Sequence, residues 1–187
     1  MARGPGAGRL KASLGRLLAR HETTVPLRYT LKAGLGAFLT ILVLGLLLAG
    51  TGLPFLVAPF GASTILVFGR PSGALAQPIN VVAGYAVAAI VAFAAAQLFP
   101  GVLWATAIST GLSLVLMRTL RVTHPPAGAI PLLAFAEPVN VLQLVEAVLI
   151  GSVALVAVAL VYHRLPPSQP YPRVPDADPA PGPDPDD

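Results

Sequence analysis

The chain has no cysteine and little charge, and each absence excludes something. Without cysteine among its 187 residues there are no disulfides, no thiolate metal ligands and no thiol nucleophile. Charged residues make up 11% of the chain, against roughly 25% in an ordinary soluble domain. Between Ala33 and Tyr162 they are Arg70, Arg118, Arg121, Glu137 and Glu146 alone. There is no histidine pair for a metal and no Ser/His/Asp set whose members could all reach one site, so neither an enzyme nor a cofactor is expected. The N-terminal stretch is also not expected to be a secretory signal, because the first apolar run is long and no small-residue cleavage pattern follows it cleanly.

What remains is largely hydrocarbon. Hydrophobic residues account for 55% of the sequence and mean hydropathy is +0.77, which marks an integral membrane protein. The net charge of +4 does not point to nucleic acid, because the basic residues crowd between Arg3 and Lys32, just before the first apolar run. That placement reads as a cytoplasmic anchor facing anionic lipid. Within residues 1–28, Leu10, Leu14, Leu17 and Leu18 share one helical face while Lys11, Arg16 and Arg20 lie off it, a pattern for a short interfacial helix. An organellar transit peptide fits less well, since the Ala/Gly/Pro/Arg bias runs through the whole chain. Residues 164–187 are dominated by proline and aspartate, with too little apolar surface for a core, and are expected to be a disordered tail.

Six stretches compete for the bilayer, where a full crossing takes about 20 apolar residues. Tyr29 to Gly50, Ile79 to Phe99, Gly101 to Thr119 and Val139 to Tyr162 are long enough. Leu53 to Gly69 and Leu120 to Ala136 are short and broken by proline and glycine. Either the short pair re-enters, leaving four spans, or all six cross. With six crossings and the N-terminus inside, the inner loops hold Arg70, then Arg118 and Arg121, then His163, Arg164 and Arg173. The outer loops Thr51-Gly52, Pro100-Gly101 and Glu137-Pro138 hold no Lys or Arg, so the positive-inside rule favours six, with both termini cytoplasmic. The expected fold is an all-α membrane bundle of four long spans and two short broken ones, over residues 29–163.

The two broken segments resemble each other. Pro59-Phe60-Gly61-Ala62-Ser63-Thr64-Ile65-Leu66-Val67-Phe68 aligns on Pro126-Ala127-Gly128-Ala129-Ile130-Pro131-Leu132-Leu133-Ala134-Phe135, with five of ten positions identical. Pro78-Ile79-Asn80-Val81 likewise matches Pro138-Val139-Asn140-Val141. Each copy, residues 29–99 and 101–163, reads as span, broken segment, span. Three crossings being odd, the second copy is expected upside down relative to the first, a recurrent transporter design.

A bilayer tolerates irregular backbone only where protein or a water-filled cavity shields it. If Pro59 and Pro126 begin half-helices, each proline costs no bond there, and Gly61 and Gly128 let backbone amides approach a ligand. Helix N-termini attract anions. Ser63, Thr64 and Thr123 would add hydroxyls, and Asn80 and Asn140 amides. Neither broken segment contains an acidic residue, so a small anion fits better than a cation. His124, beside Pro125 and Pro126, titrates near neutral pH. It either carries a proton or positive charge for the anion, or serves as a helix cap. Asn140, Gln143 and Glu146 recur every third residue. Glu146 is expected to face the protein interior, either as the partner of His124 in a proton relay or as a packing pin. Thr106, Thr110 and Ser113 form a hydroxyl stripe suited to helix packing, as do Gly34, Gly45, Gly84 and Gly151.

Thr123-His124-Pro125-Pro126-Ala127-Gly128-Ala129, with Ala58-Pro59-Phe60-Gly61-Ala62-Ser63 and Gln77-Pro78-Ile79-Asn80, resembles the HPP family of integral membrane proteins, over roughly Tyr29 to His163. The resemblance implies a transporter: members in cyanobacteria and chloroplasts are implicated in nitrite transport. The family is usually described as four-span, which differs from six by whether the short segments are counted. Some relatives carry nucleotide-sensing CBS domains after the membrane region; the sequence here has only the acidic tail, so no nucleotide-sensing function is expected to carry over. The leading expectation is a transporter or channel for a small inorganic anion, nitrite foremost, in a bacterial inner membrane. The alternative is a non-transporting scaffold or sensor subunit. The expected partners are the lipid bilayer, the anion and further copies in a homo-oligomer, with no nucleic acid.

Overall fold

A computed structural model describes residue 19, residues 24–136 and residues 140–173. The interfacial helix expected within residues 1–28, the Glu137-Pro138 loop and the tail beyond residue 173 lie outside the described residues, apart from a few positions. Every regular element among the described residues is helical: α1 (Leu27–Thr51), α2 (Ala58–Gly69), α3 (Pro78–Leu98), α4 (Leu103–Thr119), α5 (Ile130–Ala134) and α6 (Val141–Tyr162). Two 3₁₀ turns, Ala74–Ala76 and Pro125–Ala129, complete the set.

Helices α1, α3 and α6 are long and apolar enough to cross a bilayer. Helix α4, the fourth expected span, has 17 residues, or about 25 Å of rise, at the lower limit for a crossing. The two short segments are broken where proline and glycine said they would be. Residues 53–57 are non-helical before α2 begins at Ala58, and residues 120–124 are non-helical before the turn at Pro125. The two faces of the bundle can be told apart by α1, which starts at the near face and ends at the far one. Tyr162, at the end of α6, donates its hydroxyl to the Lys32 carbonyl at 2.9 Å, so α6 finishes at the near face too.

Helices α3 and α6 form the centre and pack on each other, with α1 against α2 and α6, and α4 against α3 and α5. Lipid tails are as apolar as leucine, so such packing rests on close approach of small residues. The buried positions reflect this: Val81, Gly84, Tyr85, Ala88, Ala89 and Ala92 on α3, and Ala147, Val148, Gly151, Ser152 and Ala159 among those on α6. On α1 the buried stripe is Lys32, Gly36, Thr40 and Leu44, one residue per turn. Of the four glycines expected to pack, Gly84 and Gly151 do so tightly. A Cβ on Gly84 would lie 2.7 Å from His124 Cβ, and one on Gly151 2.5 Å from Phe60 Cζ. Each central helix therefore receives a broken segment of the other half of the chain. Gly34 has nothing within 4 Å, whereas Gly36, on the same helix, would clash with Phe68 and Tyr162.

Helix α4 ends on a residue other than glycine. Arg121 has φ 58°, and its N–H bonds the Arg118 carbonyl at 3.1 Å while the Val122 N–H bonds that of Met117 at 2.8 Å. That pair is a Schellman cap, normally built on glycine. It turns the chain back into the bundle toward His124.

One expectation about the chain's end is corrected. Residues 164–173, read as the start of a disordered tail, lie along the near face and bury Tyr171. Composition missed this because a strap needs only a few anchors, here Tyr171 and hydrogen bonds, and no core of its own.

Candidate functional site

The two broken segments meet at His124. The residue before a proline is pushed to extended backbone, and His124 obeys, with φ −132° and ψ 100° ahead of Pro125. Neither Pro125 nor Pro126 has an N–H, so the first backbone bond of the turn runs from Ala127 N–H to the His124 carbonyl, at 3.0 Å. The ring is thereby held out from the chain. It is fully buried, between α2, α3 and the turn at Ala74–Ala76.

Its hydrogen bonds define one tautomer. Nδ1 lies 2.9 Å from the Leu75 carbonyl oxygen, which only accepts, so Nδ1 carries the proton. In the neutral ring Nε2 is then an acceptor and takes the Ser63 hydroxyl proton across 2.7 Å. The Tyr85 hydroxyl donates to Ser63 Oγ at 2.8 Å. A directed chain results: Tyr85 to Ser63 to His124 to Leu75, with all three side chains buried. The Tyr85 ring is 5.4 Å from the His124 ring and 5.1 Å from that of Phe60, centroid to centroid. Asn80 supports the same loop by donating Nδ2–H to the Thr123 carbonyl at 3.1 Å.

The sequence-predicted residues divide accordingly. His124, Ser63, Asn80 and Thr123 come together, although Thr123 contributes its carbonyl rather than its hydroxyl. Thr64 is buried on α2, but its hydroxyl bonds the Gly61 carbonyl at 2.7 Å and so is not a free donor. Pro59 is buried at the first turn of α2, Pro126 is half-buried and Pro125 is exposed. A Cβ at Gly61 or at Gly128 would meet nothing within 4 Å, so there is open space beside both.

Two residues are corrected. Asn140 is exposed at the far end of α6, where its Oδ1 accepts from Gln143 N–H at 3.1 Å as an N-cap. It is no part of the junction. Glu146 is exposed rather than interior, and it makes no relay with buried His124. The interior side of α6 carries Leu144, Ala147, Val148, Gly151, Ser152, Leu155 and Ala159, and the period-three stripe of Asn140, Gln143 and Glu146 falls on its exposed side. The hydroxyl stripe of α4 is mixed. Thr110 bonds the Thr106 carbonyl at 2.8 Å, while Ser113 Oγ is buried without a hydrogen-bond partner among the described residues.

Two participants were missed, Tyr85 and the Leu75 carbonyl. A carbonyl leaves no trace in sequence. Tyr85 left one: a phenol within an Ala/Val helix needs a partner for its hydroxyl.

The family described as "HPP, transmembrane region" matches residues 22–172, most of the chain and including the near-face strap. Two proteins of Dictyostelium discoideum, each described as a transmembrane protein, are similar over 107 residues, at 36% and 33% identity. Those matches cover 53% of this chain but 34% and 38% of the relatives, so the chain spans little more than a third of their length. No solved structure matches.

Proposed function

The chain belongs to the HPP family of transmembrane proteins, and we propose that it is a transporter carrying a small inorganic anion, nitrite foremost, past the junction of its two broken segments. The carrying observation is the 2.7 Å contact between Ser63 Oγ and His124 Nε2, which joins the broken segments inside the bundle. The open space at Gly61 and Gly128, the α2 N-terminus at Ala58 and the lack of any acidic side chain in either segment favour an anion. The pattern in which each half's broken segment presses on the other half's central helix supports an inverted repeat. The reading takes the membrane as a bacterial inner membrane, and the positive-inside rule supports a cytoplasmic near face.

In this reading the network exchanges donors with the anion. While His124 is neutral, the Ser63 proton points at Nε2 and the Tyr85 proton at Ser63, so no donor is free. Protonation of Nε2 reverses the first bond: the ring donates to Ser63 Oγ, and the Ser63 hydroxyl keeps its proton and is free to donate a hydrogen bond to an anion. A positive charge appears at the same moment. Anion and proton therefore enter together. In this reading the solute itself crosses chemically unchanged, and only the proton on His124 Nε2 is gained and lost.

The complete internal pairing of His124 favours a second reading, in which the network is a packing lock in a non-transporting scaffold or sensor subunit. Thermal unfolding of the purified chain separates the two. A ligand of the native state raises the melting temperature. Transport predicts a rise with nitrite that exceeds those with nitrate, formate and chloride and disappears in folded His124→Ala. The scaffold reading predicts no anion-specific rise in either.

A further inference from the structure

The chain after α6 crosses the near face and is held there at three places. On α2, His163 Nε2–H bonds the Val67 carbonyl at 3.2 Å, and the His163 ring lies between Phe68, 5.2 Å away, and Tyr171, 5.0 Å away. On α1, Lys32 Nζ donates to the Leu165 carbonyl and, at 2.8 Å, to that of Pro167. On the loop before α3, the Tyr171 hydroxyl bonds the Ala76 carbonyl at 3.0 Å and the Arg173 N–H bonds Gln77 Oε1 at 2.7 Å. Gln77 in turn donates to the carbonyls of Pro71 and Gly73, at 2.9 Å and 2.8 Å, so it ties the strap to the whole turn. Burial pushes the Tyr171 hydroxyl above its ordinary titration range, which keeps it a donor.

These anchors coincide with those of the central network. His124 bridges α2, through Ser63, to the loop before α3, through Leu75. The strap bridges the same two elements from the near face, through Val67 and Ala76. Val67 is one helical turn beyond Ser63 on the same face of α2, and Ala76 adjoins Leu75. Parting α2 from that loop therefore breaks both bridges. Between His163 and Arg173 only His163 and Tyr171 are buried, so the seating of the strap's side chains depends on those two rings.

We infer that residues 163–173 are a latch that closes the near-face approach to the His124–Ser63–Tyr85 network. With the latch seated, α2 and the Ala74–Ala76 turn stay together and solvent is kept from the network. With Tyr171 withdrawn, the Ala76 and Gln77 contacts go together, and the gap beside α2 opens to the near face while α3 and α6 remain packed. The latch controls access whether or not an anion is what passes.

The test uses a thiol reporter in a chain that has no other cysteine. Thr64→Cys places a buried thiol of similar size on α2, and a membrane-impermeant maleimide is added to each side of sealed membranes in turn. Labelling from the near face is expected to run roughly fivefold to tenfold faster with Tyr171→Phe, the shift from losing one net hydrogen bond, and faster again with Tyr171→Ala. Labelling from the far face is expected to stay slow in all three. Unchanged near-face labelling in Tyr171→Phe would overturn the latch, whether or not its melting temperature falls. If Tyr171→Ala does not fold, Tyr171→Phe, which keeps the ring, decides alone. The readout requires no transport, so its failure is distinct from failure of the anion reading.

Discussion

Ser63 on α2 and His124 ahead of Pro125 are hydrogen-bonded at 2.7 Å although 61 residues separate them in the chain. That bond makes the two broken segments a single junction. It also places the one histidine of the apolar region opposite a hydroxyl that either gives or receives the shared proton.

Tyr85 is expected to set the direction of that bond. Tyr85→Phe removes the hydroxyl that donates to Ser63 and keeps the ring against Phe60 and His124. The loss should destabilise the fold by about 1 kcal/mol, the net worth of one buried hydrogen bond. A free Ser63 lone pair should also weaken anion uptake. Thermal unfolding and uptake on one preparation check both.

The four glycines near the junction should behave in two classes. Gly84→Ala and Gly151→Ala drive a methyl into His124 and Phe60 respectively, and should cost about 1–3 kcal/mol as overpacking. Gly61→Ala and Gly128→Ala enter open space and should melt close to the parent. A loss of uptake in the second pair without a loss of stability would locate the route beside them.

Uptake should depend on pH in a definite direction. The anion needs the donor released when His124 gains a proton, so uptake should rise as pH is lowered. His124→Gln cannot gain a proton and should show a lower, flat profile. Glu146→Gln should retain the parent profile, since Glu146 lies on the exposed side of α6. Initial rates across a pH series in the three proteins measure this.

Arg121 carries backbone strain that can be relieved. A residue with a side chain costs roughly 1–2 kcal/mol in the left-handed region, and glycine avoids most of it. Arg121→Gly should therefore stabilise the chain by about 1 kcal/mol, seen as a higher melting temperature.

Much of this architecture was readable from residue type. Proline within the apolar runs marked where α2 and the Pro125 turn begin, because proline suits the first turn of a helix and not its interior. The repeat of Pro59-Phe60-Gly61-Ala62 in Pro126-Ala127-Gly128-Ala129 paired the two broken segments, and His124 and Ser63 stood out as an ionisable ring and a hydroxyl at their starts. Orientation was less readable. Every-third spacing made Asn140, Gln143 and Glu146 look like an interior stripe, yet the buried side of α6 is the one that carries Leu144, Ala147, Gly151 and Leu155. Tyr85 was legible as a phenol in need of a partner, but which hydroxyl it meets, Ser63 on another helix, was not. The strap was hidden by its composition, since Tyr171 and Gln169 are the sole hints of a fold in a run of proline.

The most direct measurement is nitrite uptake by proteoliposomes holding the purified chain. Uptake above that of empty vesicles, lost in folded His124→Ala and Gly128→Leu, is the predicted result. Uptake no greater than empty vesicles, or undiminished in both variants, would contradict a transport route through the His124–Ser63 junction.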